Sequence, residues 1–393
     1  MTVSLKSIRD FIQNLSLLLI TLVIALSLCE MAVRLFIPHD TGGAWRMPAP
    51  HGQAYWVNIP NSKVAHQFQE FSTTYSINSL GNRGGEPGTE AIQIIFLGDS
   101  FTFGLFIDEK DTSVANIGAF ATEAYGDGIV GVVNAAIAGS GIAEWVAYLQ
   151  DYGERMNPNL VVVNLNYVSI SRGFKHPLFA QNCGDETIVR VNPPKDGLLA
   201  PVPSYRLYED HSVSRFSKVG RWIWEHSQLI MAIRKAISKI MVSISTNVRS
   251  GAEIHQLGEW PNMPYESTAI DKPELRCFVK SSLKALRDSV TALGAKLVVV
   301  DIGYSWQSQV PPELSIDHIA LSYIPEILKG LDIPYVNLTD QLYNLRQSGV
   351  SLAIPGDGHP TKEGYRAIAI GSWPTIKHQI DLLRRNRSVT RDN

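Results

Sequence analysis

Ile92–Phe106 reads IQIIFLGDSFTFGLF. Its apolar run, Ile94-Ile95-Phe96-Leu97, stops at Gly98-Asp99-Ser100, and a small, aromatic-rich segment follows. A short unbroken run of β-branched and aromatic residues is the pattern of a strand buried on both faces, as in a parallel sheet. Gly98 suits a tight turn with positive φ after such a strand. Ser100 then stands at the C-terminal edge of the sheet, where open α/β folds place their ligands. A helix starting there would aim its unbonded N–H groups at the same spot and favour negative charge. A nucleophilic hydroxyl fits that position, although Gly, Asp and Ser are equally at home in a polar turn.

A serine nucleophile needs a base. Near the other end, Ile354–Tyr365 reads IPGDGHPTKEGY, with Asp357 and His359 two apart in a Gly/Pro-rich loop before the helical pattern Tyr365–Ile370. A carboxylate bonded to one ring nitrogen holds an imidazole in one orientation, so that the other nitrogen can take a proton. A lone loop histidine reads as exposed turn. Beside a strand that ends in Gly-Asp-Ser, the pair reads as base and orienting acid for Ser100.

The two blocks resemble those of the SGNH (GDSL-type) hydrolase family, which opens with strand–Gly-Asp-Ser and closes with Asp-x-His or Asp-x-x-His followed by Pro, Thr and Gly. This chain has the shorter spacing. Val132–Gly141, VVNAAIAGSG, is similar to the family's strand followed by Asn-x-x-x-x-Gly. The resemblance runs from about Ala91 to near Arg385. It implies a three-layer, flavodoxin-like α/β sandwich with a mostly parallel sheet. It also implies a catalytic triad of Ser100, His359 and Asp357, and an oxyanion site made by the backbone N–H groups of Ser100 and Gly139. One block is missing. The family's third strand is usually followed by Gly-x-Asn-Asp, whose Asn side chain donates to the oxyanion. Here Leu160–Leu165 is followed by Asn166-Tyr167-Val168-Ser169-Ile170-Ser171, without an Asn-Asp pair. Asn166 is the nearest carboxamide, and it sits earlier than the motif would place it. Losing one such donor costs roughly 10²–10³ in rate, so either Asn166 or a backbone group substitutes, or the enzyme is slow or specialised.

Phe11–Cys29, FIQNLSLLLITLVIALSLC, carries no charge and is long enough to span the hydrocarbon core as a helix. Lys6 and Arg9 precede it, so the positive-inside tendency puts the N-terminus in the cytoplasm and the remainder outside. Glu30 and Arg34 follow at i,i+4 spacing and suit an ion pair at the far interface. No small-x-small cleavage site follows, and Leu28 before Cys29 spoils a lipoprotein box, which favours an uncleaved signal anchor over a cleaved signal peptide or a core helix. The expected location is therefore the membrane, single-pass, with the catalytic domain on the periplasmic side of a bacterial inner membrane.

With 393 residues, the chain divides by sequence into a cytoplasmic stub and anchor (1–37), a tether with N-terminal strands (38–90), and a hydrolase-like domain (91–393) interrupted at about 171–271. Pro38–Pro60 reads as an irregular tether, and Phe68–Ser79 as one or two strands. Asn78–Gly84 resembles the segment that precedes the catalytic block in membrane-anchored bacterial members. Its Arg83 suits either an anionic substrate group or, more in keeping with a single arginine, a structural salt bridge. Strands at Ile129–Asn134, Leu160–Leu165, Lys296–Asp301 and Tyr335–Leu338 alternate with helices at Thr112–Tyr125, Ile142–Arg155, Pro273–Leu293 and Ile316–Gly330. That alternation implies βαβ units. Asp301 reads as a cap or turn partner. Ser171–Asp271 breaks the rhythm with several prolines and an amphipathic stretch from Ser214 to about Arg249. Its Trp222 and Trp224, with Trp260, read as packing residues before sugar platforms.

A net charge of −2 without a basic stripe gives no case for nucleic acid. No C-x-x-C, H-E-x-x-H or Gly-rich phosphate loop occurs, so neither metal nor cofactor is expected. Cys183 and Cys277 can pair outside the cytoplasm or remain as two buried thiols. The expected function is hydrolysis of an O-acyl ester of an extracytoplasmic glycan or small ester. Acyl transfer to a polysaccharide is the alternative, and a glycan-binding assembly protein on the same fold stands as the reading from another class. The sequence names no protein partner.

Overall fold

The computed structural model describes residues 5–37, 41–42, 45–49, 55–68, 71–175, 178–190, 273–303, 311–314, 322–355 and 357–389, with short pieces at 220, 223, 227–233, 236 and 306. Trp222, Trp224, Trp260 and most of the Ser214–Arg249 stretch lie outside them. Two compact units divide the chain. One takes Met1–Gly43, Ala65–Ser72 and Arg215–Gly258, and the other takes Ala44–Val64, Thr73–Ser214 and Glu259–Asn393.

In the first unit, helix α1 (Leu5–Phe36) contains a span, Phe11–Phe36, long and apolar enough to cross a membrane, none of it buried. The Glu30–Arg34 ion pair forms at 2.8 Å. Glu30 also accepts from Ser227 Oγ and from the backbone N–H groups of Gln228 and Leu229. It thereby satisfies the open N-terminal donors of a second helical segment. Strand β1 (Thr41–Gly42) pairs antiparallel with Gln67 and His66.

The second unit holds the Gly-Asp-Ser and Asp-Gly-His blocks. Before them come β2 (Arg46–Pro48) and β3 (Trp56–Asn58), while β4 (Lys63–Phe68) and β5 (Phe71–Ser76) are divided between the two units. The stretch read as a tether does more than connect. β2 and β3 pair antiparallel, and Met47, Tyr55, Val57 and Ile59 are buried in the main core, because alternate apolar residues give this ribbon one oily face. The rest is a doubly wound array: β6 (Ile92–Leu97), α2 (Ser100–Phe103), α3 (Ser113–Tyr125), β7 (Val130–Asn134), α4 (Ile142–Met156), β8 (Leu160–Leu165), α5 (Tyr167–Lys175), β9 (Phe179–Asn182), β10 (Thr187–Arg190), α6 (Pro273–Ala292), β11 (Lys296–Asp301), α7 (Ile324–Gly330), β12 (Tyr335–Asn337), α8 (Thr339–Gln347) and α9 (Lys362–Val389).

The central sheet has five strands in the order β12-β11-β8-β6-β7, and every pair is parallel. The strand order reverses at β6, and the carboxyl edge beside it is the topological switch point where such folds bind ligands. Each inner strand feeds two cores. Ile95 and Leu97 of β6, Val161, Val163 and Leu165 of β8 and Val299 of β11 face one side with α4 and α6. Ile94, Phe96, Leu160, Val162, Val298 and Val300 face the other with α3 and α9. Burial on both faces is why these strands read as unbroken apolar runs rather than alternating ones.

The insertion begins with structure the sequence did not reveal: helix α5 directly after β8, then the antiparallel hairpin β9–β10. Cys183 in the hairpin turn and Cys277 on α6 form a disulfide with a Cα–Cα distance of 5.6 Å. The final helix runs from Lys362 to Val389, a few residues past Arg385, where the family resemblance ends, and its apolar residues continue onto the α3 face of the sheet.

Candidate active site

β6 ends at Leu97, and Gly98 follows without positive φ. Glycine is required there for space: a Cβ on Gly98 would fall 2.0 Å from Thr102 Oγ1. Asp99 caps α2, its Oδ1 accepting the Phe101 N–H at 2.9 Å. That helix is a single turn, closed by Gly104 at φ 87°. The backbone therefore turns sharply and presents Ser100 at the sheet edge.

Ser100 Oγ lies 2.8 Å from His359 Nε2. On the far side of the ring, His359 Nδ1 bonds Asp357 Oδ1, which also accepts the His359 N–H at 3.0 Å. The loop holding the pair is tied by Ile354 N to His359 O at 2.8 Å and by Gly358 N to Ile354 O at 2.9 Å, with Gly358 at φ 94°. With its Nδ1–H donated to the carboxylate, the imidazole offers Nε2 as an acceptor to the serine hydroxyl. Phe101 stacks on the ring at 4.8 Å and Phe106 meets it edge-on at 5.5 Å. Phe106 has φ 66°, a costly conformation for an aromatic residue and of a kind that gathers at functional sites.

The β7–α4 loop reaches the same place. Ile137 N donates to Gly98 O at 3.0 Å, and Ser140 Oγ, donating to Ile137 O, receives Trp145 Nε1 at 2.7 Å. This clip ties the loop that carries exposed Gly139, at φ 85°, to Gly98, two residues before Ser100. Among the described residues, no acceptor takes the N–H of either Ser100 or Gly139. Asn166 is buried. Its Oδ1 accepts Ser169 N at 2.8 Å at the start of α5, and its Nδ2 turns to Asp99 Oδ2 at 3.5 Å.

No family model matches the sequence, and no curated protein matches it. Solved structures do resemble the chain. "Crystal Structure of TesA" shares 16% identity over 73% of this chain and 99% of that one, with a TM-score of 0.37. The psychrotrophic esterase EstA from Pseudoalteromonas sp. shares 14% over 74% and 98%, at 0.37. A variant of Axe2, an acetyl xylan esterase from Geobacillus stearothermophilus, shares 12% over 73% and 95%, at 0.39.

Arg83 is not at the cleft. It is buried beneath α2, where its guanidinium donates to the carbonyls of Phe103 (2.6 Å), Gly104 and Ile107 and lies over the rings of Tyr75 and Phe103. The expected salt bridge is replaced by bonds to backbone carbonyls, and burial pulls the pKa of this group down. Asp301 acts as a turn partner. It accepts Gly303 N and Tyr335 OH, both at 2.9 Å, and burial pushes its carboxyl up.

Among the described residues, two other cationic groups are bonded to the segments around Ser100. Arg172 on α5 bonds Asp99 Oδ2 at 3.2 Å, and Arg46 on β2 bonds the Ala138 carbonyl. Arg46 lies in the segment read as tether and Arg172 at the start of the insertion. Neither stands in a motif, so nothing in the sequence pointed to them.

Proposed function

We infer that this protein is a serine ester hydrolase, acting through Ser100, His359 and Asp357. The single observation that carries the reading is the unbroken relay Ser100 Oγ–His359 Nε2 (2.8 Å) and His359 Nδ1–Asp357 Oδ1. Ser100 Oγ attacks the acyl carbonyl while its proton passes to His359 Nε2. The resulting oxyanion is held by the N–H groups of Ser100 and Gly139. Asn166 is the third donor in this reading, since its Nδ2 keeps a second hydrogen beyond the one turned to Asp99. As the ester C–O bond breaks, His359 returns the proton to the departing alcohol, leaving an acyl-serine. Water then attacks this ester, its proton going to His359, and the acid leaves as Ser100 is reprotonated.

The substrate in this reading is an O-acylated glycan or small ester outside the cytoplasm. Two features support the location: the apolar N-terminal span and the Cys183–Cys277 disulfide, a bond that persists in oxidising compartments. The motif resemblance supports the chemistry. Detergent-solubilised full-length protein is offered p-nitrophenyl acetate beside its Ser100→Ala variant. Release of p-nitrophenol that disappears in the variant supports hydrolysis; equal release from both proteins overturns it.

A further inference from the structure

Among the described residues, two half-buried guanidinium groups that the hydrolysis just described does not use are bonded to the segments around Ser100, Arg46 to Ala138 O and Arg172 to Asp99. Arg46 comes from β2, ahead of the α/β array, and lies against the backbone of the proposed oxyanion loop. It bonds Ala138 O, and a Cβ on Gly139 would come within 2.8 Å of its Nη1. Arg172 comes from α5 and lies against the same loop, its Cβ 3.1 Å from where a Cβ on Gly141 would stand, and its guanidinium is held by Asp99, the carboxylate next to Ser100 in sequence. Asp357 is engaged with His359 on the far side of the ring. The two cations are close enough that Arg172 adds to burial in drawing down the Arg46 pKa. Two like charges held together, with Asp99 bonded to one of them, favour an incoming anion. Trp56, 52% exposed, lies with its ring 6.0 Å from Arg46 Cζ and offers a flat apolar face beside the charge.

We propose that Arg46 and Arg172 form an anion-binding rim to the active site, so that the substrates are esters bearing a carboxylate or other acidic group close to the scissile carbonyl. The inference rests on the assignment of Ser100 as nucleophile. The rim explains why arginine stands at both positions: a planar five-donor fork can hold a group of the fold, Ala138 O or Asp99, and grip a planar anion as well. The reaction at Ser100 is unchanged. What the rim adds is selection among esters.

The test compares charged esters with their neutral methyl esters on full-length protein at one low ionic strength. On the alcohol side the pair is 4-acetoxybenzoate and methyl 4-acetoxybenzoate. On the acyl side it is mono-(4-nitrophenyl) succinate and methyl 4-nitrophenyl succinate. The readout is the charged-to-neutral ratio of kcat/KM, from which any general loss of activity cancels. In the wild type, one pair should favour the charged ester by roughly tenfold or more, as expected for one charge-assisted hydrogen bond. That ratio should collapse toward unity in Arg46→Gln, fall in Arg172→Gln and survive in part in Arg46→Lys. Ratios at or below unity for both pairs, or a preference that Arg46→Gln leaves intact, would overturn the proposal. The same pairs are titrated by NMR against Ser100→Ala, where binding reads the rim without turnover. Esters that bind with the charged preference but never react would sink the hydrolase assignment and leave the rim standing. Esters that react without any charge preference would do the reverse.

Discussion

Ser100 and His359 are 259 positions apart in the chain, yet Oγ and Nε2 meet at 2.8 Å. Nothing local brings them together. The contact exists because β6 ends at the switch point of the sheet while α9, packed with α3 on one face, delivers the loop before it to the same edge. Both loops are then pinned, one by the Asp99 cap and the other by the Ile354–His359 backbone bond.

Asp357 makes the first prediction. Its carboxylate holds the Nδ1–H tautomer, and an amide in its place can present the wrong group to the ring. Asp357→Asn should keep the fold and lower kcat on p-nitrophenyl acetate by about 10³–10⁴. A stopped-assay rate close to that of wild type, with an unchanged circular dichroism spectrum, would show that His359 is not oriented this way.

Arg83 makes the second. Its buried guanidinium donates to three carbonyls of the segment that follows Ser100, and each such hydrogen bond from a charged group contributes about 1.5–3 kcal/mol. Arg83→Met should therefore destabilise by at least about 3 kcal/mol in urea melts. Arg83→Lys should recover little, because one ammonium cannot reproduce the fork. Full stability in either variant would contradict the structural role.

The disulfide makes the third. Cys183 and Cys277 enclose a segment with a sequence separation of 94, and chain-entropy reckoning assigns such a loop about 4.7 kcal/mol. Cys183→Ser with Cys277→Ser should lower stability by several kcal/mol while leaving the Ser100–His359 contact, and hence labelling of Ser100, in place. No measurable change in the urea midpoint would contradict it.

Asp301 makes the fourth, and its sign follows from burial. The folded chain holds the Asp301 proton more tightly than an unfolded chain, whose carboxyl keeps its ordinary value of 3.8. Its contribution to stability is complete below that pH and is lost as pH rises through the raised folded value. The stability of wild type relative to Asp301→Asn should therefore fall from about pH 4 toward neutrality. A difference that stays flat or grows with pH would contradict the shift.

Much of this was legible in the sequence because the decisive signals are local. The run Ile94–Leu97 marks a strand buried on both faces, Gly-Asp-Ser marks its abrupt end, and Asp357-Gly358-His359 carries its own turn chemistry. The remainder was hidden for physical reasons. Tyr55, Val57 and Ile59 alternate as any half-buried ribbon does, and only the tertiary packing shows that the tether is part of the core. Arg46 and Arg172 stand in no pattern, since their value comes from which loops they touch. Gly98 was read as a conformational glycine when its role is steric, a distinction that depends on where Thr102 folds back. Asn166 shows the same limit: its place after β8 was visible, but not that Ser169 and Asp99 would engage both ends of its carboxamide.

The most direct test of the account is labelling of the full-length protein with an alkyl fluorophosphonate, followed by peptide mass spectrometry. A nucleophile activated as described predicts a single adduct on Ser100, formed at a rate that drops sharply in His359→Ala and absent in Ser100→Ala. Folded wild-type protein that yields no adduct at Ser100, or yields one just as fast without His359, would contradict it.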